Sequence, residues 1–222
     1  RLAVIDVAAH ALLARIDTVR DPLGLAISPD GRSVYVASHR SGHAQRFPFT
    51  DDPASEERDI DKVDIMSGAV AASFLNVGTT IGALEMSPDG SRLLVATLRN
   101  DTASSLASAD NTAFQHLVVA LDPNTGAELQ RADLGRQPSS GGQAVTLHQL
   151  AVHEGSLWVP AEGSDLTIVL DATTLEEQRR VRTPGRPRHA LGTPSGVFVH
   201  GAQSLESTLV STAGAVLGTA AL

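Results

Sequence analysis

Eight histidines and one run of arginines are the side chains of this 222-residue sequence best equipped for chemistry. His148 and His189 each fall seven residues before a turn glycine, Gly155 and Gly196. Gly24 and Ala83 hold the same offset from Gly31 and Gly90, which puts the two histidines in one column of a repeated pattern. Paired imidazoles can bind a divalent metal or an anion, or relay a proton. Two are too few for a closed zinc site, which takes four ligands or three and a water. Glu162, Asp165 or a residue outside this chain would have to complete one. The plainer alternative is a pair of polar residues bonded to backbone or water.

Five arginines fall within residues 179–188: Arg179, Arg180, Arg182, Arg186 and Arg188. In a chain of net charge −8 this is a local inversion. Guanidinium forks at Arg186 and Arg188, next to His189, suit a carboxylate or a phosphate. Arg180 and Arg182 read better as the charged edge of an outer strand, which discourages edge-to-edge association. His39 and His43 begin a long polar segment, and His200 follows His189 in the next apolar run. Residues 51–61 are rich in Asp and Glu. Clustered oxygens attract Ca²⁺, but the spacing and glycine of an EF-hand loop are missing, and a solvated loop is the better reading.

Several chemistries are excluded. There is no cysteine, so disulfides, thiolate nucleophiles, Cys-ligated zinc and haem attached through Cys-x-x-Cys-His cannot come from these residues. No Gly-rich phosphate loop, Gly-x-Ser-x-Gly elbow or His-Glu-x-x-His pair is present. The negative charge argues against nucleic acid and anionic membrane surfaces. No apolar run approaches the ~20 residues of a membrane span. Arg1 in place of a Met points to a processed or trimmed chain.

The elements that carry these residues come from two alternating sequence patterns. Ser28-Pro29-Asp30-Gly31 recurs as Ser87-Pro88-Asp89-Gly90, each copy set between two short apolar runs (residues 21–38 and 80–97). The second pattern is an apolar run closed by an acidic turn, at Asp6, Asp64, Asp122 and Asp171, with Ser211 as a weaker copy. The steps between these markers are 58, 58, 49 and 40 residues. Repeats of about 40 residues holding four short strands are propeller blades. The repeated aspartates open turns that the following glycines close, so they are structural residues. Aromatics are 3% of the chain, which leaves small aliphatic side chains to fill the space between blades.

The expected fold is all-β: a single β-propeller domain over 1–222, with repeats at approximately 1–20 (partial), 21–79, 80–132, 144–185 and 186–222. The chain opens on an Asp-type hairpin and closes on another, which gives about four complete blades plus an orphan hairpin. That composition fits a fragment of a larger propeller, with further blades or a further domain outside this chain, or an irregular five-bladed ring. The repeated short turns lie at one end of the blades. The long segments 40–60, 99–114 and 133–143 lie at the other end, with the channel mouth and its candidate residues His39, His148, His189, His200, Arg186 and Arg188. Loops of varied length on one face of a rigid scaffold are where binding concentrates.

The residues Ala3-Val4-Ile5-Asp6, Pro22 to Gly31 and Val34-Tyr35-Val36-Ala37-Ser38 resemble the YVTN family of β-propeller repeats. The resemblance covers residues 2–41 well and 60–100 fairly well, and fades beyond. It implies a periplasmic, secreted or surface propeller, commonly a binding scaffold. Its relatives include lactonase-like enzymes and propellers fused to haem-bearing cytochrome domains. Repeats specify fold and not activity. Three functions follow as expectations. The first is a non-enzymatic scaffold that binds a protein or a small anionic ligand at the channel mouth. The second is a lactonase-like hydrolase with a polar or divalent-metal site, His148 and His189 being its candidate ligands. The third is the propeller domain of a larger haem redox protein.

Overall fold

The computed structural model describes residues 1–19, 22–38, 58–78, 80–100, 114–135, 149–161, 164–183, 185–201 and 206–221. Among them are eighteen β-strands in five antiparallel sheets. β1 (Leu2–Asp6) and β2 (Ala11–Ile16) form a lone hairpin. The first four-stranded blade is β3 (Pro22–Ile27), β4 (Ser33–Ser38), β5 (Ile60–Asp64) and β6 (Ala69–Phe74). The second is β7 (Thr80–Met86), β8 (Leu93–Asn100), β9 (Phe114–Leu121) and β10 (Glu128–Asp133). The third is β11 (Ala151–His153), β12 (Ser156–Ala161), β13 (Leu166–Asp171) and β14 (Glu177–Arg182). The fourth is β15 (Pro187–Thr193), β16 (Gly196–Gly201), β17 (Glu206–Val210) and β18 (Val216–Ala221). In every blade the strands pair in chain order, and the first strands of successive blades pack on one another around the axis. The expected four blades and orphan hairpin are what the described residues form.

The turns show why the marker residues recur. Ser28 Oγ accepts the Ser33 amide at 2.9 Å and donates to Asp30 at 2.6 Å, while Asp30 accepts the Arg32 amide at 3.0 Å. Ser87, Asp89 and Ser91 repeat the pattern. Gly31 and Gly90 close these turns at φ 68° and 72°, a region that costs glycine little. The bonds from the Ser87 hydroxyl and from Ser91 hold the Asp89 carboxyl down at about 2. Asp64, Asp122 and Asp171 each accept amides two or three residues on, which lowers their pKa as well. All five hairpins formed by third and fourth strands carry a register shift near the turn. A bulge there sharpens the local twist.

Alternation along each strand sends side chains to both faces of its blade, and four apolar clusters fill the spaces between layers. β1 and β2 pack Leu2, Val4 and Ile16 onto Val34, Val36 and Val63 of the first blade. Tyr35, Ile60 and Phe74 meet Leu84, Met86 and Leu93 across the next space. Leu94, Val118 and Ala120 meet Leu150, Leu157 and Ile168. Trp158 and Val169 meet Ala190, Val197 and Val199. The Tyr35 hydroxyl also donates to the Pro123 carbonyl of the second blade at 2.9 Å. Ile5 and Leu12 on the lone hairpin, and Leu191 and Leu217 on the fourth blade, are exposed.

Trp158 is fully buried between the third and fourth blades. Trp158→Ala is expected to destabilise the fold by about 3–5 kcal/mol, measured by urea unfolding followed by far-UV circular dichroism.

Candidate axial-channel site

The first strands and their flanking residues define a solvent-open cavity of about 430 Å³, lined by Glu85, Gln149, Val152, His153, Leu191 and Thr193 among others. Every lining residue belongs to the first strand of a blade or to the segment next to it, so the cavity lies on the axial side. β11 and β15 supply its walls and β7 supplies Glu85.

At its loop end the fourth blade gathers four of the expected residues. Arg186 stands at φ 59°, and its amide donates to Asp165 Oδ1 at 2.9 Å. That contact uses the carboxylate of Asp165, one of the groups expected to complete a metal site. The Arg188 carbonyl accepts the Gln149 amide at 3.1 Å. His189 Nδ1 and Gln149 Oε1 lie 3.2 Å apart, a bond that requires the proton on Nδ1. His200, paired with His189 across β15 and β16, has its ring centroid 6.2 Å from that of His189. His200 Nδ1 also lies 3.0 Å from Ser207 Oγ. Partial burial, then the neighbouring His200 and Arg188, lower the pKa of His189. The His189 imidazole is thus bonded to the carboxamide of Gln149, a residue of the cavity lining, and feels the charge of Arg188.

The shared column of His148 and His189 needs correction. Strand pairing sets Gly192 opposite Val197 and Val152 opposite Leu157. Three residues before these lie His189 and Gln149, so the column reads Gly24, Ala83, Gln149, His189. Counting from the glycine misleads because Gly155 sits within a two-residue turn, whereas Gly196 opens a strand. His148 and His39 lie outside the described residues, as do Glu162 and most of the segments 40–60, 99–114 and 133–143. Among the described residues, no three His, Cys, Asp or Glu side chains gather as metal ligands. The remaining arginines serve the outer strands: Arg180 pairs with Glu177 at 2.8 Å, and Arg179 lies over the Trp158 ring and donates to the Thr212 carbonyl.

Two residues of interest escape a reading by motif. Glu85 stands where the other blades carry Ala26, Ala151 and Leu191, and burial raises its pKa. The signal was present in the second Ser-Pro-Asp-Gly copy, where Glu precedes the Met that matches Ile27. His116 on β9 is buried, and desolvation pushes its pKa down to about 4 against the weaker opposing pull of Asp133.

No protein-family model matches the chain, and no curated protein matches it. Solved structures do. The periplasmic gluconolactonase of Pseudomonas aeruginosa is 16% identical with a TM-score of 0.71, over 99% of this chain and 63% of that one. A dihydro-heme d1 dehydrogenase is 17% identical with a TM-score of 0.64, over 99% and 41%. Hydrazine synthase of Kuenenia stuttgartiensis is 18% identical with a TM-score of 0.63, over 94% and 51%. The chain thus spans between two fifths and two thirds of these three chains. Identity at this level shows the propeller fold. No helix among the described residues is long and apolar enough to cross a membrane.

His116 gives the stability a defined pH dependence. Between about pH 6.5 and 4 the unfolded chain holds a proton on this residue that the folded chain lacks, so stability falls as pH drops through that window. The loss is on the order of 3 kcal/mol. Thermal melts from pH 7.5 to 4 are expected to show a flatter profile for His116→Leu than for the parent.

Proposed function

We propose that this chain is a binding propeller of YVTN type, periplasmic or extracellular, which takes a small anionic ligand at the loop end of the axial cavity. The observation that carries this reading is the bond between His189 and Gln149. It ties the Arg186–Arg188–His189 segment to a residue that itself lines the cavity. Guanidiniums on this segment favour a carboxylate or phosphate through charge-assisted bonds. The chain as a whole carries a net charge of −8, so an anion is met by local positive charge at this arginine-bearing mouth. The periplasmic gluconolactonase neighbour supports the location by analogy of fold.

A lactonase-like hydrolase is the second reading, and Glu85 favours it. A carboxyl whose pKa is raised by burial holds its proton closer to neutrality and is suited to protonate a leaving oxygen. A propeller domain of a larger haem redox protein is the third, supported by the likeness to the dihydro-heme d1 dehydrogenase.

Isothermal titration with D-gluconate and with inorganic phosphate separates the first two readings when run beside a turnover assay on glucono-lactone. Binding without turnover is expected, with Arg188→Ala weakening it about tenfold. Unchanged affinity in Arg188→Ala, or no binding of either anion, would remove the binding reading. Turnover that Glu85→Gln abolishes would establish the hydrolase.

A further inference from the structure

The first two strands of the fourth blade set two histidines directly opposite one another. His189 pairs with His200 in the antiparallel register. Opposed residues share one face of a sheet, with Cβ atoms about 4.5–5.5 Å apart. The two ring centroids lie 6.2 Å apart and the planes are inclined by 32°. The equivalent cross-strand pair is Gly24 with Ala37 in the first blade and Ala83 with Ala96 in the second. In all three blades it follows the same register shift. Packing at this point of the repeat is thus met by small residues, and the fourth blade alone of these three carries imidazoles there.

Each ring is also held from behind through Nδ1. His189 Nδ1 donates to Gln149 Oε1 of the third blade at 3.2 Å, and His200 Nδ1 lies 3.0 Å from Ser207 Oγ. Ser207 is buried and faces His200 from β17. A neutral imidazole carries one proton, so a proton on Nδ1 makes Nε2 the lone-pair nitrogen. Metal-ligating histidines are oriented in this way, one nitrogen bonded to a neighbouring acceptor and the other turned to the ion. Both of these facing rings have such a support. His189 is exposed and His200 half-buried, so an ion can reach the pair from solvent.

From this geometry we propose that His189 and His200 form an open site for a divalent first-row metal ion such as Zn²⁺, bound through the two Nε2 atoms, with water or an anion in the remaining positions. Imidazole suits such ions, whereas Mg²⁺ takes oxygen ligands. Zinc stands about 2.0–2.1 Å from each nitrogen, and the broad last torsion of a histidine supplies the approach the rings need. The pair differs from His148 with His189, the candidates expected from the sequence. The inference stands apart from the anion-binding reading, because Arg188 places a positive charge near His189 that favours an anion and opposes a dication.

The test is calorimetric titration of the full chain with Zn²⁺ in chloride buffer, with Mg²⁺ as the control, beside NMR of the histidine ring protons. One equivalent of Zn²⁺ is expected to bind, and the ring resonances of His189 and His200 in the unmodified chain should shift together. His189→Ala and His200→Ala should each weaken binding at least about tenfold, and Gln149→Leu and Ser207→Ala about tenfold by releasing the rings. Gln149→Glu, which keeps an acceptor for Nδ1, should retain the affinity. Arg188→Ala should tighten Zn²⁺ binding about threefold, the opposite of its effect on an anion, so that either reading can fail while the other stands. No saturable binding of Zn²⁺, unchanged affinity in both histidine variants, or first-equivalent shifts at other histidines would overturn the proposal. Equal affinity for Mg²⁺ would overturn it as well, since the ligands would then be oxygens.

Discussion

Apolar packing between successive sheets is the interaction on which the rest of this molecule depends. Alternation gives each blade two apolar faces, and no blade can hide both by itself. The chain meets this requirement by stacking, so that each layer is the cover of the next. The two faces of β12 show the division most simply: Leu157 and Val159 belong to the cluster shared with the second blade, and Trp158 to the cluster shared with the fourth. With so few aromatic side chains, the spaces are filled mainly by Val, Leu, Ile and Ala. A bulky residue such as Trp158 is met by the small side chains Ala190 and Val197 across the interface.

This rigid packing sets the candidate site apart from its scaffold. Gln149, His189 and Arg188 are held by strand ends and backbone bonds, so their positions derive from the same register that builds the core. Glu85 is the exception in chemistry. It places an acid in a column otherwise reserved for apolar side chains, and the burial that follows shifts its proton equilibrium. Sites on rigid elements hold their groups more precisely than loops do.

Much of the architecture could be read from the residues. Ser-Pro-Asp-Gly and the aspartate markers located the hairpins because a turn that needs positive φ and side-chain caps admits few residue types. The markers gave the blade count and the orphan hairpin, and they placed His189, His200, Arg186 and Arg188 at one end. The column of His148 was misread for a physical reason. Both hairpins turn in two residues, but Gly155 lies inside its turn whereas Gly196 opens the next strand, and only pairing reveals the offset. Glu85 was hidden because a single acid in a strand carries no motif. The partnership of His189 with Gln149 was hidden because it joins residues forty positions apart.

The separation of turns from long connections has one more consequence, for how such a chain acquires new properties. Twenty-one residues join β4 to β5, and four join β16 to β17, yet the strands they connect form equivalent parts of equivalent blades. By loop-closure entropy the longer connection costs only about 1.5 kcal/mol more than the shorter. Lengthening at that end is therefore nearly neutral for folding, whereas a single added residue in a Ser-Pro-Asp-Gly turn would shift a strand and turn its apolar side chains to the wrong face. Variation can accumulate at one pole of the molecule while the other stays fixed, so a lineage built on this scaffold can change what it recognises without having to solve the folding problem again.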